Sequence, residues 1–256
     1  MDPAFLDNEL RFFVLHWVRC LALIAPLPVF GNSPGSRVAR VGLGVMLGTI
    51  LAMVGTRVGY TDPGWSPMLA FFVVKEALFG YLLAYIAMVG FGAIRMAGDF
   101  IGTEMGFNMA SISDPITGVN TQLIAHFYES LGLLIFFVSG GHLVLLKGLA
   151  RSFESWPVTT FSLNGEIVGA VVAFTGSVFV AGLQIAAPVF VAMIVIGVSL
   201  AVLAKVAPQL QIFIFAFPVK ILGGMLLLYA TFASVIPAVK AVLERMNDLL
   251  FRLTGS

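Results

Sequence analysis

Charge is what this sequence has least of. Lys and Arg number 14 and Asp and Glu 13, which makes 11% of 256 residues. An ordinary soluble domain carries about 25%. Apolar residues reach 59% and the mean hydropathy is +1.02. A water-soluble globule of this size cannot hide so much apolar surface behind so few charges. The shortage excludes a soluble enzyme, a disordered chain and a nucleic-acid binder. It leaves an integral membrane protein, or a subunit buried in a hydrophobic assembly. The net charge of +1 implies no acidic partner. A single cysteine, Cys20, forms no internal disulfide and leaves the redox compartment open. There is no repeat of fixed period and no low-complexity tract. The amino end does not read as a cleavable signal, because Asp2, Asp7 and Glu9 give the wrong charge and no small-x-small site follows.

The few charges divide the chain. None occurs between Arg19 and Arg37, Arg40 and Arg57, Glu76 and Arg95, Glu129 and Lys147, or Lys220 and Lys240. Each gap holds roughly 16–19 residues, close to the ~20 that span a hydrocarbon core. The gap from Glu166 to Lys205 is about twice as long, with Pro188 near its middle. Proline removes a helical hydrogen bond, so two helices are predicted there, Ile167–Ala187 and Val189–Leu203. The fold class is therefore an all-α membrane protein of about seven apolar helical segments. Turns are predicted at Phe30–Gly35, Tyr60–Pro67, Ser155–Pro157 and Asn164-Gly165. The end, Lys240–Arg252, alternates charge with Leu243, Met246, Leu249, Leu250 and Leu253, the spacing of an amphipathic helix. It could lie on a membrane, pack on a partner helix or dock on its own chain. Loop charges differ too little to orient the chain.

Some charges sit oddly for a lipid-spanning bundle. Arg19 lies inside the apolar run Leu10–Pro28, and Lys75 and Glu76 lie inside Met68–Ile94. A charge at the bilayer centre costs about 2.5–3.5 kcal/mol on insertion scales. Adjacent residues on a helix do not face each other, so Lys75 and Glu76 each require a partner elsewhere.

Catalytic patterns are thin. Gly31-Asn-Ser-Pro-Gly35 matches G-x-S-x-G, but a nucleophile elbow needs a strand before the serine, and an apolar helix precedes Ser33. Ser139 and His142 raise a serine–histidine dyad, with no acid to orient it. A helix break at Gly140-Gly141 explains the same residues. His126 and Glu129 could share a helix face, yet a metal needs more ligands than the three histidines and their surroundings offer.

The stretch Arg95–Gln122 is the most informative. Gly98, Gly102 and Gly106 recur every fourth residue and, on a helix, form a bare stripe for close packing. Met105, Phe107, Met109 and Ile112 follow, interrupted by Asp114-Pro115 and Thr117-Gly118. This is too short and broken to span lipid. Irregular backbone at membrane depth is tolerated only when buried in protein or lining a cavity. The stretch reads as a re-entrant, plug-like loop or as an external loop folded onto the bundle.

These segments, in this order, resemble the export-gate family of the flagellar type III secretion system, which has a counterpart in the virulence injectisome. The resemblance covers almost the whole chain. It rests on Ala97–Phe107, Asp114-Pro115, Gly140-Gly-His142, Pro188, Ala207–Phe213 and Phe217-Pro218, with Arg19, Pro26 and Phe30 at the amino end. It implies helical hairpins that join P-type and Q-type subunits in a pore-forming assembly, much of it lifted out of the inner membrane at the basal body. It also implies the A-type and B-type export proteins as partners and unfolded proteins as substrates. No cofactor, metal or catalytic residue follows from it. The family's plug, carried over, falls on Met105–Asn120, with Phe107, Met109 and Ile112 as apolar contacts. The regions expected are hairpins at 1–94, the plug region at 95–123, hairpins at 124–239 and the tail helix at 240–256. The glycine ladder followed by Asp114-Pro115 looks more flagellar than injectisome. A secondary transporter or small-solute channel, and an intramembrane hydrolase built on Ser33 or Ser139, are the readings from other classes.

Overall fold

The computed structural model of the chain describes residues 3–30, 34–55, 60, 62–107, 122–208 and 212–254. Among them the regular elements are seven α-helices and one short 3-10 turn, Pro28–Phe30. The helices are α1 (Pro3–Ile24), α2 (Pro34–Val54), α3 (Pro67–Glu104), α4 (Leu123–Val138), α5 (Gly141–Ser155), α6 (Gly165–Val206) and α7 (Ile212–Thr254). Gly35–Val54, Pro67–Glu104, Gly165–Val206 and Phe215–Thr254 are each long and apolar enough to cross a membrane, and α4 with α5 adds a fifth, broken candidate.

Local chemistry accounts for several boundaries. α3 opens on Pro67, whose missing N–H would be unpaired at a first helical position anyway. The hydroxyl of Ser66 accepts the Met68 N–H at 3.3 Å, in the manner of an N-cap. Asn164 does the same for α6, its Oδ1 accepting the Ile167 N–H at 2.9 Å.

The helix count agrees with seven predicted segments for two compensating reasons. The segment between Glu129 and Lys147 is two helices. Gly140 takes φ +74°, a left-handed conformation that ends the regular path at Ser139 and lets α5 begin at Gly141. The predicted break at Pro188 does not occur, because α6 runs through it as one helix of 42 residues. Ala186 and Val189, on either side of the proline, are fully buried, as is Met193 one turn further on. Packing holds the helix on course, and the loss is limited to one backbone hydrogen bond. α7 likewise contains Pro218 and Pro237.

The chain divides into two compact units. The first comprises residues 1–89, 140–175 and 244–256. There α1 and α2 pack as a hairpin, with the Trp17 indole N–H donating to Thr49 Oγ1 at 2.9 Å. Leu15, Leu23, Phe79 and Leu83 fill the core. The tail, the last part of α7, docks on its own chain. Met246, Leu249, Leu250 and Leu253 are buried, Ser155 Oγ donates to the Thr254 carbonyl, and the Trp156 indole donates to the Leu253 carbonyl at 3.2 Å.

The second unit comprises residues 90–139 and 176–243. Phe91 meets Phe136 edge-on at 5.2 Å, and Phe100 meets Phe190 at 5.9 Å. In this unit α6 and α7 run alongside each other as an antiparallel pair, with Gly223 beside Ile196 and Gly197 beside Lys220.

Candidate functional site: a glycine-rich helix end and a buried ion pair

In the second unit, α3 ends at the glycine stripe. A Cβ placed on Gly98 would stand 2.7 Å from the Ala125 Cα and 2.7 Å from the Ile124 carbonyl oxygen. Backbone cannot give way at that distance, so only glycine lets α4 lie this close. Gly102 faces Ile124 with ordinary clearance. Gly106 lies beyond the helix, at φ +86°. Its N–H donates to the Thr103 carbonyl at 3.0 Å, and the Phe107 N–H donates to the Gly102 carbonyl at 3.1 Å. Those two bonds and the left-handed glycine make a Schellman cap, which satisfies the last carbonyls and turns the chain sharply away. Met105, fully buried, fills the space over Gly224 of α7, and Gly106 lies beside Phe217. Phe107 is half-buried. Met109, Ile112, Asp114 and Pro115 lie outside the described residues.

The chain is described again from Gln122, close to the α3 it left. Arg95 Nη2 donates to Gln122 Oε1 at 3.0 Å, and Arg95 Nη1 lies 3.4 Å from Glu129 Oε2. His126 and Glu129 do share a face, at 3.5 Å. Among the described residues no three His, Cys, Asp or Glu side chains gather to hold a metal ion. Ser33 lies outside the described residues. The Ser139 hydroxyl donates to the Phe136 carbonyl at 3.2 Å, a helix-end contact.

In the first unit the charges inside the apolar runs meet one another. Arg19 Nε donates to Glu76 Oε2 at 2.6 Å, and neither side chain has any exposed surface. Arg19 Nη1 donates to the carbonyls of Ser152 and Trp156, both at 2.9 Å. The guanidinium lies 4.3 Å from the ring centre of Phe153 and 4.8 Å from that of Phe79. Glu76 Oε1 accepts the Thr159 N–H at 2.9 Å, while Lys75, half-buried, donates to the Thr159 carbonyl at 3.2 Å. Adjacent Lys75 and Glu76 thus grip the two faces of one peptide residue. Thr159 holds φ +79°, unfavourable for a β-branched side chain and sustained only where the surroundings over-determine it. Sequence reasoning had no route to Thr159, Ser152 or the Arg95–Gln122 bond, because each lies far along the chain from its partner.

A third polar contact lies outside the apolar helices' spans. Arg11 donates twice to Asp62, at 2.7 and 2.6 Å, and its guanidinium holds the Asp62 carboxyl below the usual carboxylate range.

These features define an all-helical membrane protein with long apolar helices, a tightly capped glycine-rich helix end and a fully buried ion pair. The chain belongs to the bacterial export proteins, family 1, which it matches over residues 10–246. It is similar to the flagellar biosynthetic protein FliR of Pectobacterium carotovorum subsp. carotovorum, 32% identical over 243 residues, which cover 95% of this chain and 92% of that protein. It is 28% identical over 244 residues to the protein of the same name in Escherichia coli strain K12, covering 95% and 91%. The Yop proteins translocation protein T of Yersinia pestis matches over 178 residues at 28% identity, 68% of each chain. The resemblance to the type III export-gate family seen in the residues is thereby a membership.

Proposed function

We propose that this chain is a subunit of the flagellar type III protein-export gate in the bacterial inner membrane, at the flagellar basal body. With P-type and Q-type subunits it forms the pore through which unfolded flagellar proteins leave the cell, and it contributes the pore's plug. The flagellar branch is favoured over the injectisome because the flagellar relatives named above match nearly the whole chain, while the Yersinia protein matches 68% of it.

One observation carries the assembly. The 42 residues of α6 make a rod of about 63 Å at 1.5 Å per residue. A hydrocarbon core is about 30 Å thick. Only 22% of its most apolar stretch is buried, and it carries no charge between Glu166 and Lys205. Lipid alone covers about half of such a rod, so apolar protein must cover the rest. A lone transporter or channel has no such protein to offer, whereas a hetero-oligomeric gate does.

The plug reading draws on the capped end of α3. The Schellman turn at Gly106 takes Phe107 out of the helix, and Arg95 holds Gln122 close to α3. The sequence between those two fixed points is the segment we assign as the plug. Its Met and Phe side chains are soft and apolar, suited to a seal that deforms as a substrate passes. Transport of this kind requires no catalytic residue in this chain. The A-type and B-type export proteins are the expected neighbours on the cytoplasmic side.

Native mass spectrometry of the chain co-expressed with its P-type and Q-type subunits tests the assembly. The expected result is a discrete hetero-oligomer of unequal copy numbers. A lone chain, or a symmetric homo-oligomer indifferent to both partners, overturns it. Alanine at Met105, Phe107, Met109 and Ile112 is expected to raise small-ion leakage through assembled complexes, and unchanged leakage removes the plug role.

A further inference from the structure

In the first unit a partly enclosed cavity of about 140 Å³ lies between α1, the end of α2, Tyr60, α5 and the turn after α5. A cavity of about 150 Å³ takes one benzene molecule, so a ligand of about that size fits here. Leu51, Val54 and Val158 give it apolar walls, and His16 and Glu154 line it as well. His16 is 3% exposed. Its ring lies parallel to that of Phe153 at 4.5 Å and against that of Phe12 at 4.3 Å. It belongs to α1, which is not among the membrane-crossing candidates named above. Burial, and after it the Arg19 charge, keep the imidazole neutral by pushing it down to about 4. Nδ1 lies 2.9 Å from the Phe12 carbonyl oxygen, which can only accept, so Nδ1 carries the ring's one proton. Nε2 is then a bare acceptor. It stands beside Gly55 of the cavity wall, 3.8 Å from where a Cβ on that glycine would be. Among the described residues nothing donates to it. Glu154, exposed near the end of α5, likewise meets no donor among the described residues. No cationic side chain is among the described residues that line the cavity. The Arg19 guanidinium, 4.3 Å from the Phe153 ring centre, is already matched by Glu76.

We propose that this cavity binds a primary ammonium on a short apolar stem, which donates to His16 Nε2 and to the Glu154 carboxylate. A neutral imidazole lone pair is satisfied by a donor. The carboxylate favours a charged donor over a neutral one, because charge-assisted hydrogen bonds are roughly twice as strong. The stem lies against Leu51, Val54 and Val158. An anion would face the Glu154 charge, and a purely apolar guest would leave the buried Nε2 unpaired. The ammonium belongs either to a free amine or to a lysine side chain entering on the Glu154 side. The inference is independent of the export-gate role proposed above.

The test is imidazole-nitrogen NMR of the full chain in detergent, with isotope-labelled histidine, titrated with n-butylammonium at neutral pH. His16→Phe, which keeps the ring stack, identifies the His16 signals, and His126 and His142 serve as controls. The Nε2 resonance is expected to move saturably, in the sense of a nitrogen that gains a hydrogen bond, while the control rings stay unchanged. An Nε2 that does not move overturns the proposal, and so does one moved equally by n-butanol at the same concentration. Glu154→Gln, at an exposed position that disturbs no packing, is expected to weaken n-butylammonium binding about fivefold and to leave n-butanol unaffected. An unchanged affinity for n-butylammonium overturns the role of the carboxylate, and with it the ammonium. Acetyl-lysine amide with a free side-chain amine separates the two sources. Binding equal to that of n-butylammonium supports the proposal with a lysine side chain as the ligand, and binding of n-butylammonium alone supports it with a free amine.

Discussion

Replacing Glu76 by Gln removes a charge and almost nothing else. The amide is isosteric with the carboxylate and can still accept the Thr159 N–H, now 2.9 Å from Oε1. What it cannot do is neutralise Arg19, whose Nε lies 2.6 Å from Oε2 with both side chains wholly buried. The Ser152 and Trp156 carbonyls and the rings of Phe79 and Phe153 remain, but none carries a full negative charge. Breaking a buried pair from one side costs about 3–5 kcal/mol. At about 2–4 °C per kcal/mol for a chain of this size, Tm should fall by at least about 6 °C. The assay is thermal unfolding of the purified protein in detergent, alongside Arg19→Met and the double variant. Arg19→Met should also be costly, because it removes the guanidinium that neutralises the buried Glu76 carboxylate and donates to the Ser152 and Trp156 carbonyls. The double variant should be less destabilised than the two single losses added together, by about 1–3 kcal/mol, the coupling expected of groups in contact. A Tm change under about 2 °C for Glu76→Gln, or strict additivity, would refute the argument that the pair acts as one unit.

Three further outcomes are expected. Gly98→Ala should destabilise by about 1–3 kcal/mol because its Cβ meets backbone at 2.7 Å, whereas Gly92→Ala, on the same helix with nothing within 4 Å, should be neutral or stabilising by up to about 1 kcal/mol; equal Tm values for the two would contradict the close approach of α4. Thr159→Gly should raise Tm by relieving a φ of +79°, worth about 1 kcal/mol, as long as Lys75 and Glu76 keep their bonds to that residue's backbone; a lower Tm would mean the threonine side chain contributes more than its strain. Asp62, its carboxyl held low by Arg11, contributes stability that is fully present above its unfolded pKa and is lost as pH falls through the lower folded one. The Tm difference between wild type and Asp62→Asn should therefore shrink as the medium is acidified past the usual carboxylate range, and a difference constant with pH would exclude that role for the pair.

How far the residues alone carried the reading can be followed at particular positions. Composition determined the class, because so little charge over so much apolar surface admits no soluble globule. Charge-free gaps marked out the helices, since the bilayer thickness sets a length that shows directly in one dimension. Gly98, Gly102 and Gly106 were visible as a pattern, and Arg19, Lys75 and Glu76 as anomalies, each from spacing or context along the chain. The order of those motifs was enough to indicate the family.

What only the tertiary structure decided is what depends on contacts between distant residues. The helix-breaking tendency of Pro188 is a local preference of about 3 kcal/mol, and burial of Ala186, Val189 and Met193 outweighs it. Gly106 read as the third member of a stripe, yet it is the residue that ends the helix, because its left-handed φ and two backbone bonds form the cap. That Arg19 needed a partner followed from its burial in an apolar run. That the partner is Glu76, 57 residues away, and that Thr159 completes the site did not, since the chain reaches such pairings only by folding. Lys220 reads in the sequence as one more charge at the end of a gap, and only the fold lays its side chain beside Gly197 of α6. Local propensity and length are properties of a segment and can be read from it. Which charge meets which, and which proline or glycine is overruled, is settled by packing, where the free energy of many buried contacts exceeds the preference of any one residue.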